Sequence, residues 1–173
     1  GFIQILKKMN ANIKIKNLKK KSEELIGDIL VKSSILRPIN CPNELVPLAI
    51  DEFPLLFIIS SLIKGTTKFS GIGELRHKES DRIKTMEMSL NEAGIKTKST
   101  PSSLKIFGNP NLKLDKILNI YPKNDHRIAM SFFCLAQLIN GNIKINNFET
   151  VNTSFSKFLV TMKKIGAYYE IKK

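Results

Sequence analysis

Cysteine, histidine and arginine are all scarce in this chain, whose 173 residues include two Cys, two His and four Arg. Cys41 and Cys134 stand far apart, in no CxxC pair and with no His at ligand spacing, which excludes a structural zinc site and a disulfide framework. Cys134, within SFFCLAQLI, is expected to be a buried small hydrophobe in a reducing compartment, the cytoplasm. No apolar run reaches the roughly 18 to 20 residues of a membrane span, and no signal peptide is visible. Acidic residues are also few, 15 against 28 basic ones, for a formal net charge of +13. That balance would suit a nucleic-acid binder or a protein that handles acidic ligands. The first is disfavoured because Arg-rich and aromatic-interleaved patches are missing, and because Lys, Ile and Asn are inflated together, a mark of nucleotide bias.

The scarce residues are not scattered. Of the four Arg, at 37, 76, 82 and 127, two lie with His77 in one heptapeptide of the stretch GELRHKESDRI, residues 73 to 83. A second cluster is Asn124-Asp125-His126-Arg127. Where the chain has drifted to Lys, a retained Arg signals a need for the planar guanidinium fork that grips carboxylate or phosphate bidentately. The competing reading is that both clusters are solvated loop charges.

At 42% apolar the chain is long enough to bury one core as a single domain, residues 1–173. Residues 2–9 have helical spacing, 13–17 alternate as a strand, and ELIGDILVKSS is another strand. Proline at 38, 42 and 47 keeps 35–47 extended. DEFPLLFIISSLIKG predicts a helix led by Asp51, with Pro54 in its first turn, apolar on every face and therefore internal. TTKFSGI predicts a strand, 83–93 an amphipathic helix closed by Gly94, and IKTKS and SLKIFG two strands. DHRIAMSFFCLAQLING repeats the Asp-led buried helix, followed by strand NIKINNF, amphipathic helix SFSKFLVTMKKIG and strand AYYEIKK.

The cycle recurs with a period of about 72 to 76 residues, and KKMNANIKIKN echoes KKIGAYYEIKK as the tail of an earlier copy. The expected fold is α/β (α+β), built from repeated βαβαββ units whose buried helices are wrapped by sheets. If the helices that begin at polar signatures point the same way, their N-termini make an anion site near Arg82 and Arg127. The first residue, Gly1, falls directly in a helical pattern, and the chain is expected to be part of a longer one.

Four motifs in order, Ile50-Asp51-Glu52-Phe53-Pro54, Glu74-Leu75-Arg76-His77-Lys78-Glu79-Ser80-Asp81-Arg82, Asp125-His126-Arg127-Ile128-Ala129-Met130 and Thr153-Ser154-Phe155, resemble the 5-enolpyruvylshikimate-3-phosphate synthase family. The resemblance implies an inside-out α/β enolpyruvyl transferase fold of two domains, of which this chain is most of the C-terminal one. It implies transfer of the enolpyruvyl group of phosphoenolpyruvate to shikimate 3-phosphate with release of phosphate, in the shikimate pathway to aromatic amino acids. It also implies a cleft completed by the N-terminal half, a monomer when complete, no cofactor or metal, and no nucleic-acid or membrane partner.

By the same resemblance Asp51 is the proton acceptor facing the shikimate hydroxyl and Glu79 the acid serving the methylene carbon. Lys78 is a ligand of shikimate 3-phosphate, and Arg82 and Arg127 clamp phosphoenolpyruvate. Plainer roles stand beside these, Asp51 and Asp125 as N-caps and Glu79 with Arg82 as a local ion pair. Glu74 and Thr153 depart from one branch of the family, which has Asn and Lys there, so those contacts are not carried over; His77 is given no role. The alternatives are the UDP-N-acetylglucosamine enolpyruvyl transferase, a basic RNA-binding βαβαββ module, and a non-catalytic half-domain.

Overall fold

The computed structural model describes residues 1–171. Helix α1 (Phe2–Lys8) runs into a hairpin of β1 (Asn12–Lys21) and β2 (Glu24–Lys32), turned by Ser22 and Glu23, both at positive φ as a two-residue hairpin turn requires. The proline-bearing stretch is extended and ends in two short 3-10 turns, Asn43–Leu45 and Pro47–Glu52. Then come α2 (Phe53–Ser61), β3 (Gly65–Ser70), a 3-10 turn Gly73–His77, α3 (Arg82–Glu92), β4 (Thr97–Thr100) and β5 (Ser103–Gly108). After β6 (Leu118–Ile120), α4 (His126–Ala136) and β7 (Ile143–Ile145) follow a 3-10 turn Phe148–Val151, α5 (Asn152–Phe155) and α6 (Phe158–Lys164).

β3, β5 and β4 form one antiparallel sheet in that order, and Asn40 adds a parallel bridge to Lys68 of β3. The path from Asn40 through α2, β3, α3, β4 and β5 is the βαβαββ unit expected from the sequence. β6 and β7 pair in parallel across α4 and begin the next unit. The repeat has a further mark. At the ends of α1, α3 and α6 the chain makes the same turn, with Asn10, Gly94 and Gly166 at φ 71°, 86° and 96°. In each, that residue's N–H donates to the carbonyl three back and the next N–H donates to the carbonyl five back: Ala11 to Leu6, Ile95 to Leu90, Ala167 to Met162.

The core lies where α2 packs on α4 and β5. α2 buries Phe53, Leu56, Phe57 and Ile58 completely, and Phe53, Phe57 and Phe69 meet edge-on or tilted, with ring centroids 5.1 to 5.9 Å apart. Each such side chain contributes roughly 1.5 to 3 kcal/mol by leaving water. A second cluster, with Ala129, Phe133, Val151 and Phe158, joins α4 to α6.

The structure corrects four expectations. Asp51 does not lead α2; it sits in the preceding 3-10 turn and Glu52 takes the N-cap position without a capping bond. α4 is not apolar all round, and Cys134 on it is only half-buried. The helix expected in SFSKFLVTMKKIG is broken between Phe155 and Phe158. Residues 167–171 form no strand, and the last two residues of AYYEIKK lie outside the described residues.

Candidate functional site

The start of α2, the Gly73–Arg82 loop and the start of α4 meet around one guanidinium. Arg82 is 1% exposed, although Arg is almost never fully buried unless paired. Its Nε donates to Asp125 Oδ2 at 2.8 Å, one terminal nitrogen donates to Asp51 Oδ1 at 3.2 Å, and the other to Glu79 Oε2 at 2.5 Å. Three carboxylates from three motifs therefore share one cation, and the fork geometry of Arg is what lets it serve them together. Asp125 is fully buried and also accepts from Ser80 Oγ at 3.1 Å and from the backbone N–H of Arg127 at 3.0 Å. Its N-cap role at α4 is real, and it does more than cap.

Arg127 reaches across to the start of α2. It donates to the Asp51 carbonyl at 2.9 Å and pairs with Glu52 at 3.4 Å and Asp51 at 3.8 Å, while 31% of its side chain remains open to water. Lys78 reaches the other carboxylate oxygen of Asp51, Oδ1, at 3.7 Å and pairs with Glu74 at 2.6 Å. Burial works to raise the Asp51 carboxyl, but Arg127, Lys78 and Arg82 outweigh it and hold the group below the usual carboxylate range. Asp51 is therefore an ionised acceptor at neutral pH. The bond to Glu74 lifts Lys78 above the ordinary ammonium value despite opposing desolvation. These contacts set five carboxylates (Asp51, Glu52, Glu74, Glu79, Asp125) against three cations, so a patch of a strongly basic chain is locally negative.

All five residues singled out in the sequence, Asp51, Lys78, Glu79, Arg82 and Arg127, fall in this cluster. Arg76 and Asp81, inside the same motif, serve the scaffold. Asp81 caps α3 through the Lys84 N–H, and Arg76 pairs with Asp81 at 2.8 Å and donates to the carbonyls of Thr100 and Pro101, fixing the loop to the β4–β5 turn. Glu79 precedes α3, so its pair with Arg82 is not an intrahelical one. Glu52, Glu74, Ser80 and Asp125 also belong to the cluster, and the motifs alone assign none of them a site role. A signal existed in Asp125, since an Asp directly before HR at a buried helix start needs a cation as well as N–H donors. Thr153 makes no side-chain bond to the cluster and donates to the carbonyl of Thr150, whose own hydroxyl donates to the Asn124 carbonyl beside Asp125. No group of three or more His, Cys, Asp or Glu among the described residues is arranged to hold a metal ion, because Arg82 occupies the space between the carboxylates.

The sequence model described as EPSP synthase (3-phosphoshikimate 1-carboxyvinyltransferase) matches residues 1–162. The chain is 40% identical over 158 residues to a 3-phosphoshikimate 1-carboxyvinyltransferase of Clostridium tetani, covering 91% of this chain and 36% of that protein. It is 40% identical to the enzyme of the same name from Petrotoga mobilis, covering 95% and 38%. A solved EPSP synthase from Acinetobacter baumannii superposes with a TM-score of 0.91 at 39% identity, over 99% of this chain and 40% of that one. The enolpyruvyl transferase NikO from Streptomyces tendae, at 14% identity and TM-score 0.65, shares the fold. The chain thus spans little more than a third of the length of these relatives.

Proposed function

This chain belongs to the EPSP synthase family, and from that premise we propose that it forms one part of an enzyme that moves the carboxyvinyl group of phosphoenolpyruvate onto the 5-hydroxyl of shikimate 3-phosphate. The matched part is read as most of the C-terminal one of two domains, acting in the cytoplasm on the shikimate pathway to aromatic amino acids. Among the described residues no helix is long and apolar enough to cross a membrane.

In the first half of the reaction the 5-hydroxyl oxygen bonds to C2 of phosphoenolpyruvate while C3 gains a proton. In the second, the C2 to phosphate-oxygen bond breaks, phosphate leaves, and C3 returns a proton. Two proton carriers are needed at two places. Asp51, kept ionised by its cations, takes the hydroxyl proton, and Glu79, on the other side of Arg82, serves C3. Lys78 holds the 3-phosphate of shikimate, and Arg127 with Arg82 meets the carboxylate and phosphate of phosphoenolpyruvate. Arg127 and Lys78 are open to ligand, whereas Arg82 is saturated by three carboxylates and meets a substrate only as Asp51 or Glu79 turns away.

The observation that carries this reading is the single Arg82 guanidinium that brings Asp51 and Glu79 to one point from motifs 28 residues apart in the sequence. Five carboxylates against three cations cannot hold two polyanionic substrates, so further cations must come from the rest of the enzyme. The test is a hybrid in which this chain replaces the matching part of the Acinetobacter baumannii EPSP synthase. Phosphate release from phosphoenolpyruvate should depend on shikimate 3-phosphate and be lost in Asp51→Asn and Glu79→Gln. A folded hybrid that turns over normally with both substitutions would refute the assignment.

A further inference from the structure

We infer that Glu52 is a specificity-determining residue of the proposed site, a carboxylate that competes for Arg127 and so limits how tightly phosphoenolpyruvate and released phosphate are held there. This deepens the function proposed above and rests on its reading of Arg127 as a phosphoenolpyruvate contact.

The scaffold makes little use of Glu52. It stands at the N-cap position of α2, where Ser, Thr, Asp or Asn is the usual choice, and it makes no capping bond. Its side chain is 40% exposed, so it fills no core, and its one side-chain partner among the described residues is Arg127, at 3.4 Å. By contrast Asp125, Glu79 and Glu74 each hold a cation at 2.5 to 2.8 Å. A pair as long and as exposed as Glu52 with Arg127 contributes little to stability. What remains to be explained is a negative charge set against the one cation of the cluster that reaches both α2 and open water.

Arg127 lies in the first turn of α4, where the helix dipole disfavours a cation, so its placement calls for anions in front of it. Three groups answer from the start of α2: the Asp51 carbonyl at 2.9 Å, the Glu52 carboxylate at 3.4 Å and the Asp51 carboxylate at 3.8 Å. A carboxylate or phosphate that takes the fork of Arg127 competes with all three. The two side chains then differ in what they lose. Asp51 still has Arg82 at 3.2 Å and Lys78 at 3.7 Å, whereas Glu52 has no other cation among the described residues. Glu52 is left as an unpaired negative charge beside an anion, and the repulsion grows with the charge that the ligand carries. Lys78, assigned to shikimate 3-phosphate, pairs with Asp51 and Glu74 and not with Glu52, so that substrate is affected less. A charge that opposes substrate, intermediate and phosphate alike raises KM, eases product release and leaves the chemical step unchanged.

The experiment is Glu52→Gln in the hybrid with the Acinetobacter baumannii remainder, with kinetics and calorimetric titration side by side. The KM and the calorimetric Kd for phosphoenolpyruvate should both fall about three- to tenfold, and inhibition by inorganic phosphate should tighten to match. The kcat should stay within about threefold and the KM for shikimate 3-phosphate within about twofold. The gain should shrink when salt is raised to about 1 M, because a repulsion this exposed is screened. If Glu52 serves only the N-terminus of α2, the same change lowers the melting temperature by more than about 3 °C and tightens nothing. A folded variant with unchanged or weaker phosphoenolpyruvate affinity, or one in which both substrates tighten equally, would overturn the inference. Binding and turnover are read separately. A hybrid that binds phosphoenolpyruvate without turning it over counts against the proposed function, and the comparison at Glu52 still decides this inference; one that binds none with either residue overturns both.

Discussion

Arg82 and Asp125 are both out of contact with water, which makes each costly to leave alone. Removing one partner of such a pair strands the other, typically at about 3 to 5 kcal/mol. Asp125→Asn keeps a side chain able to cap α4 but withdraws the charge opposite Arg82, so urea unfolding of this chain should show a loss of about 3 kcal/mol. A loss below about 1 kcal/mol would mean that Asp51 and Glu79 suffice. Asp51 adds a pH dependence. Its folded-state pKa is depressed, so its ion pairs stabilise the chain above the unfolded carboxylate value and stop doing so as pH falls through the folded one. The stability gap between the parent and Asp51→Asn should therefore shrink between pH 7 and pH 3. A gap that stays constant would show that the pairs contribute nothing. In the active hybrid, Arg127→Lys should weaken phosphoenolpyruvate far more than shikimate 3-phosphate, because a point charge replaces a fork; equal losses would remove Arg127 from that role.

At the scale of elements, the repeated helix-ending turn gives a stability prediction of its own. Gly94 sits at φ 86° with open space where a Cβ would be, so conformational strain and not packing sets the cost of a side chain there. Gly94→Ala should cost about 1 to 2 kcal/mol, and Gly94→Asn clearly less, since Asn10 already fills the same position in the earlier copy. Equal costs would show that the turns are not equivalent. The all-apolar run from Phe53 and the closing glycines at 94 and 166 made the repeat readable, because burial on every face and a left-handed end leave plain marks. Pro54 and Asp51 suit a 3-10 turn as well as a helical first turn, so the sequence sets the start of α2 too early. The amphipathic run 154–166 hides a break at Ser156 and Lys157 that periodicity does not reveal. Asp51, Lys78, Glu79, Arg82 and Arg127 could be found by scarcity and family motif. Asp125 was seen only as a cap, because nothing local says that Arg82, 43 positions away, turns its Nε toward it.

For the whole molecule, a net charge of +13 and a locally negative cluster point the same way. The basic surface favours the approach of polyanions, while the cluster, in the function proposed above, would handle protons and lacks the positive charge to retain two substrates unaided. The proposed reaction also needs exclusion of water and fixed orientation of both substrates, which in this proposal the rest of the enzyme supplies. We propose that this chain holds, in Asp51 and Glu79, the proton carriers of an enolpyruvyl transfer that only the larger assembly completes. Its most direct test is phosphate release from phosphoenolpyruvate plus shikimate 3-phosphate, by the chain alone, by the hybrid, and by the hybrid with Glu79→Gln. No turnover is expected from the chain alone and clear turnover from the hybrid. With Glu79→Gln the expected kcat is at least about a hundredfold lower, with substrate affinities within roughly tenfold. Turnover by the chain alone, or near-normal kcat in the Glu79→Gln hybrid, would contradict it.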